Sequence, residues 1–175
     1  MSSLGRKVPI IFKSFGTKVP ICGKKSSYPR QSILNNPSLL PTMGMLFLPT
    51  SRDEGKKYYK DFNQFDVIFV TGDPYYDHPL SGTAIIARLL DKKGYKIAII
   101  AQPQNEAEYQ CCGRPKYFFC ITSGLLDSML ANYTPMLKKR ENVLVPERGL
   151  MVYTQNLKNI FKGCVTVIGG VEATI

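Results

Sequence analysis

Asp66-Val67-Ile68-Phe69-Val70-Thr71-Gly72, running straight into Asp73-Pro74-Tyr75-Tyr76-Asp77-His78-Pro79-Leu80-Ser81-Gly82, decides how this chain reads. The first part is a continuous β-branched and aromatic run without polar alternation, the mark of a strand covered on both faces. Gly72 ends it. After the polar loop, Ser81 is a candidate cap for a helix through Lys93, in which Ile85, Ile86, Leu89 and Leu90 form one apolar stripe, and Gly94 is the expected stop. Lys96–Ala101 predicts a second buried strand, Tyr117–Thr122 a third and Val165–Ile168 a fourth. Ser51 followed by Glu54 resembles a capping box that opens a polar helix over 52–61. Further helical patterns cover 124–131 and 154–162, with Leu150 to Tyr153 expected to be extended. Strand, helix, strand at this spacing demands right-handed parallel crossovers. The expected fold is therefore α/β, a small doubly wound, mainly parallel sheet with helices on both faces, in which ligands bind beyond the carboxyl ends of the strands.

Outward from this core the texture changes. The chain has 175 residues, 44% apolar and 21% charged, so it suits one domain with one core and excludes collagen, coiled coil and wholesale disorder. Its net charge of +10 is concentrated at one end: residues 1–50 hold Arg6, Lys7, Lys13, Lys18, Lys24, Lys25 and Arg30 and no acid. Gly5-Arg6-Lys7-Val8-Pro9-Ile10-Ile11 nearly repeats as Gly16-Thr17-Lys18-Val19-Pro20-Ile21-Cys22, and residues 23–44 read as a Ser-, Asn- and Pro-rich linker. We expect an irregular basic arm and linker over 1–44 and an α/β domain over 45–175. A solvated extension accounts for such an arm, as does binding to RNA or another polyanion. The longest uncharged stretch, Gln31 to Ser51, is broken by Pro37, Pro41 and Pro49, so no membrane span is expected. A cytoplasmic protein with reduced thiols is the expectation.

The carboxyl-end rule singles out the loop after the first strand, which holds the single His of the chain. Asp73, Tyr75, Asp77, His78 and the cap Ser81 form a dense polar cluster ending at a helix N-terminus. The same composition is also ordinary turn chemistry, with Asx-turns at Asp73 or Asp77. The second candidate loop carries the paired Gly169 and Gly170, where a ligand can approach the backbone, with Glu172 beside them. The third, Gln102-Pro103-Gln104-Asn105, is polar and has no catalytic group. One His and two Asp fall short of a transition-metal set, and both common phosphate fingerprints are absent. Cys111 and Cys112 are adjacent, while Cys22, Cys120 and Cys164 are scattered, so no zinc or iron–sulfur spacing exists and no catalytic residue is assigned.

A resemblance rests on many motifs in order. Phe47-Leu48-Pro49-Thr50-Ser51-Arg52, Val70-Thr71-Gly72-Asp73-Pro74-Tyr75 with Asp77-His78-Pro79, Gly94-Tyr95, and Ile100-Ala101-Gln102-Pro103 open the series. Gly113-Arg114-Pro115-Lys116, Phe118-Phe119, Asp127-Ser128-Met129, Tyr133-Thr134 and Ile168-Gly169-Gly170-Val171-Glu172-Ala173 complete it. Together they resemble the N-terminal region of the YgiQ-type radical-SAM proteins, collinearly over residues 46–175. The resemblance implies a cobalamin-binding-like, flavodoxin-like α/β domain, followed in the family by a barrel. That barrel holds a 4Fe-4S cluster on C-x-x-x-C-x-x-C and cleaves S-adenosylmethionine. The chain stops at Ile175, before any such motif, and resembles the front part of a split or truncated member. Cobalamin domains that ligate cobalt through His usually show D-x-H-x-x-G, whereas Asp77 and His78 are adjacent here.

The expected function is thus a noncatalytic N-terminal module of a radical-SAM iron–sulfur protein. It would act with a separate chain that carries the cluster, with a corrinoid as the ligand the resemblance would allow. The alternatives are a free-standing RNA- or nucleotide-binding module using the basic arm, and a structural remnant without activity.

Overall fold

The computed structural model describes residues 47–75 and 77–174. The basic arm, its two near-copies and the linker expected over 1–44 lie outside the described residues, as does Tyr76. In chain order the elements are α1 (Arg52–Tyr58), β1 (Val67–Thr71), α2 (Gly82–Lys92), β2 (Ile97–Ala101), α3 (Glu106–Gln110), β3 (Phe118–Thr122), α4 (Ser128–Asn132), α5 (Gly149–Ile160) and β4 (Thr166–Ile168), then a 3-10 turn at Val171–Thr174. The strands form one parallel sheet in the order β2-β1-β3-β4, with Val67 opposite both Ile97 and Phe118, and Phe119 opposite Thr166. This is the α/β class expected, and each strand falls inside its expected span.

Alternation along the strands sends successive side chains to two cores. Ile68, Val70, Ala98, Ile100, Phe119 and Ile121 pack with Tyr109 of α3 and Leu150, Tyr153 and Leu157 of α5. Val67, Phe69, Ile97 and Ile99 pack on the other face with Ala84 and Ala87 of α2 and with Leu48. The handedness rule explains the division. The step from β1 to β2 runs opposite to the steps from β2 to β3 and β3 to β4, so α2 lies on one face and α3 and α5 on the other. Residues 47–50 guard the outer edge of β2, where the Pro49 carbonyl accepts a hydrogen bond from Ile99 N at 2.9 Å.

Several local expectations are corrected. α2 meets the sheet through Ala84 and Ala87, small enough for a close approach, and of the expected stripe Leu90 alone packs on that core. Ile85, Ile86 and Leu89 are 51–54% exposed. α1 stops at Tyr58 because the Tyr59 hydroxyl is drawn to Asp91 Oδ1 at 2.9 Å and accepts from Ile97 N at 2.8 Å. α3 falls where no helix is expected, yet Asn105 caps it: Asn105 Oδ1 accepts from Glu108 N at 3.1 Å, and Asn105 Nδ2 donates to Glu108 Oε1 at 2.9 Å. Leu150 to Tyr153 is helical, not extended, and the helix expected over 124–131 is the shorter α4.

Candidate functional site

The sheet order reverses direction between β1 and β3, so the loops leaving these strands diverge and open a crevice at their carboxyl ends. Its volume is about 860 Å³, and it continues along the α2 side of β3 and β4, with Phe69, Cys120 and Val167 as its floor. Glycines bring the loops together. A Cβ on Gly72 would fall 2.0 Å from the Ser123 carbonyl oxygen, and one on Gly124, at φ +120°, would fall 2.3 Å from Asp73 Oδ1. Asp73 therefore lies flat against the β3–α4 loop, where its Oδ2 accepts from Leu125 N at 2.6 Å. Burial raises the Asp73 pKa above the usual carboxylate value, with the Leu125 N–H working against that rise.

Four more of the expected site residues border the same space. His78 stands exposed at the rim, and its Nδ1 accepts from Leu80 N at 3.2 Å. That hydrogen bond favours the neutral tautomer with its proton on Nε2. Ser81 caps α2, its Oγ accepting from Ala84 N at 3.3 Å. Gly169 N donates to Ile121 O at 3.0 Å, and a Cβ there would enter open space. At Gly170, with φ +94°, a Cβ would fall 2.5 Å from Thr122 Oγ1. Cys120, on the crevice floor, has its thiol pushed up to about 11 by burial, which keeps it protonated and unreactive at neutral pH.

Tyr75, Asp77 and Glu172 are engaged elsewhere. Tyr75 is buried, its hydroxyl accepts from Leu48 N at 3.0 Å, and burial pushes its pKa up to about 12. Asp77 is held by Arg88, whose Nε donates to Oδ2 at 2.8 Å, and this pair ties the loop to α2. Glu172 points toward α4 and α5, accepting from Ser128 N and Leu150 N, each at 3.2 Å. The Gln102–Asn105 loop follows the edge strand β2 and lies outside the crevice, while Gln102 Nε2 donates to Gly72 O at 2.8 Å. Thr122, Gly124 and Leu125 line the crevice instead. Their signal was present in the sequence: Gly124 follows its strand much as Gly72 and Gly169 follow theirs.

The described thiols fall on both faces of the sheet, three on one and one on the other. Cys111 and Cys112, with sulfurs 3.6 Å apart, both donate toward the Thr50 carbonyl, at 3.4 and 3.3 Å. Cys164 lies against the same core, whereas Cys120 faces the α2 side. Among the described residues no group of three His, Cys, Asp or Glu is placed to hold a metal ion. These residues do not fit a 4Fe-4S cluster, which needs convergent thiolates. No described helix is long and apolar enough to cross a membrane.

A parallel sheet of order β2-β1-β3-β4 with a glycine-lined crevice at its switch point defines a doubly wound α/β module. The chain belongs to the Radical SAM N-terminal family, which matches residues 47–175. It is 40% identical over 140 residues to a UPF0313 protein of Methanocaldococcus jannaschii, covering 74% of this chain and 23% of that one. It is 43% identical over 141 residues to a UPF0313 protein of Thermotoga petrophila, covering 74% and 24%. For the UPF0313 protein of Geobacter sulfurreducens the identity is 39% over 142 residues, covering 75% and 23%. The chain thus spans about a quarter of the length of the curated relatives it matches. No solved structure matches it. The radical-SAM family implies a 4Fe-4S cluster and S-adenosylmethionine in its core domain.

Proposed function

We propose that residues 47–175 form a noncatalytic α/β module of a radical-SAM iron–sulfur protein, whose cluster and radical chemistry belong to a core domain outside these residues. The observation that carries this reading is that the described thiols do not converge, no three of the described His, Cys, Asp or Glu side chains being placed to hold a metal ion, in a stretch that matches the N-terminal family. The module's own contribution is to hold a ligand at the carboxyl-end crevice. Its apolar floor, the glycine backbone at Gly169 and Gly170 and the polar rim of Asp73 and Ser81 suit a broad, largely apolar molecule with polar edges, the description of a corrinoid. His78, with its proton on Nε2, serves as a hydrogen-bond donor to such a ligand rather than as a cobalt ligand.

Calorimetric titration of hydroxocobalamin and of S-adenosylmethionine tests the crevice. Gly169→Leu is the informative variant, because its side chain would enter open space, whereas Gly170→Val adds strain at a positive φ and a collision with Thr122. Binding by the wild type that Gly169→Leu weakens at least tenfold, with an unchanged melting temperature, supports the reading. Binding indifferent to Gly169→Leu places the ligand elsewhere.

A further inference from the structure

Two cysteines adjacent in the sequence carry adjacent thiols, and the turn that holds them fastens the start of the described fold. Cys111 follows the last residue of α3 and is half-buried, while Cys112 is 3% exposed in the core shared with α5. Their sulfurs lie 3.6 Å apart, and both thiols donate to one acceptor, the Thr50 carbonyl, at 3.4 and 3.3 Å. The same turn holds this segment through its backbone, the Cys111 carbonyl accepting from Arg52 N at 3.2 Å. One residue before Thr50, the Pro49 carbonyl accepts from Ile99 N on the outer edge of β2. The dithiol therefore secures the stretch that guards the sheet edge.

We infer that Cys111 and Cys112 form a reversible redox site, closing to a disulfide when a low-molecular-weight disulfide of the glutathione type oxidises them and loosening the 47–52 segment as they close. Half-buried Cys111 is the thiol such a reagent reaches, and Cys112, nearly sealed from solvent, is placed to resolve the product. The Cys111 thiolate attacks one sulfur of the reagent, forming a mixed disulfide and expelling one small thiolate. Cys112 gives its proton to solvent, attacks the Cys111 sulfur and expels the second small thiolate, and both leaving groups take up a proton. Two protein thiols are thereby oxidised, and one small disulfide is reduced to two thiols. The bond is easily undone. Neighbouring Cα atoms are about 3.8 Å apart, short of the roughly 4.4–6.8 Å at which disulfides are relaxed, and that strain favours reduction. Oxidation also removes both S–H donors, so the Thr50 carbonyl loses these two contacts and the edge segment part of its fastening. Neither cysteine borders the crevice, so the site operates whether or not a ligand binds there.

The test incubates the 175-residue chain with oxidised glutathione and reads it by peptide mapping and by hydrogen exchange. In the wild type the peptide spanning both residues is expected to lose the mass of two hydrogens and to keep no glutathione, and dithiothreitol should reverse the change. Amide exchange over residues 47–55 and along β2 should rise severalfold on oxidation and fall back on reduction. Cys112→Ala, which keeps a small apolar side chain in the core, should instead trap glutathione on Cys111, whereas Cys111→Ala should leave Cys112 unmodified. An unreacted pair overturns the inference, as does glutathione retained on wild-type Cys111 or a link from either residue to Cys22 or to a second copy. Exchange over residues 47–55 that oxidation leaves unaltered overturns it as well.

Discussion

Asp73 is the crevice residue whose charge state the fold most directly opposes. Burial raises its pKa in the folded chain above the unfolded value. Its contribution to stability is therefore complete below the unfolded carboxylate pKa and is lost as pH rises through the folded one. Asp73→Asn retains an oxygen to accept from Leu125 N while removing the charge. The variant should melt higher than wild type at pH 7 and equally at a pH below the ordinary carboxylate range. Thermal melts across that range check this, and a variant less stable at pH 7 contradicts it. The sequence marked Asp73 as one member of a polar loop. It could not show that Tyr75 faces the core or that Asp77 is spent on Arg88, because both outcomes depend on partners 27 and 11 residues away.

At the scale of elements, Glu172 is the clearest case of long-range capping. α4 begins after Asp127 and α5 after Arg148, and neither preceding side chain caps its helix. One carboxylate from the 3-10 turn serves both, with Oε2 on Ser128 N and Oε1 on Leu150 N, while Ser128 Oγ accepts from Gly149 N at 3.0 Å. Glu172→Ala should destabilise the fold by about 1–3 kcal/mol, since two helix-terminal N–H groups lose their acceptor. Chemical denaturation reads this loss, and a change near zero would mean that water caps both helices as well. The same geometry explains why Leu150 to Tyr153 reads as extended: the stretch has no local start signal, and its cap arrives from 22 residues downstream. The strands were legible because their burial pattern is local and continuous. The outward stripe of α2 misleads because helical spacing identifies an apolar side without saying which of two surfaces meets it.

For the whole molecule, the sheet order was beyond local reading, yet the parallel class followed from the spacing of strands and helices. Two of the three loops chosen by topology border the crevice. The third leaves the outlying strand β2, and the β3–α4 loop takes its place. Among the described residues the two cores are built from residues 48–157. Deleting residues 1–44 should therefore leave the thermal transition nearly unchanged while weakening salt-sensitive retention of RNA, because seven of the ten net positive charges lie there. Collapse of the fold on deletion contradicts this division.

The central claim is that the described α/β domain has no place for an iron–sulfur cluster, and anaerobic reconstitution with iron and sulfide tests it most directly. With the full-length Methanocaldococcus jannaschii relative prepared in parallel, this chain is predicted to stay colourless and to retain no stoichiometric iron or sulfide, since no three of its described thiols converge on one point. Stoichiometric iron and sulfide in this chain, with a charge-transfer band lost on Cys112→Ser, would contradict the account.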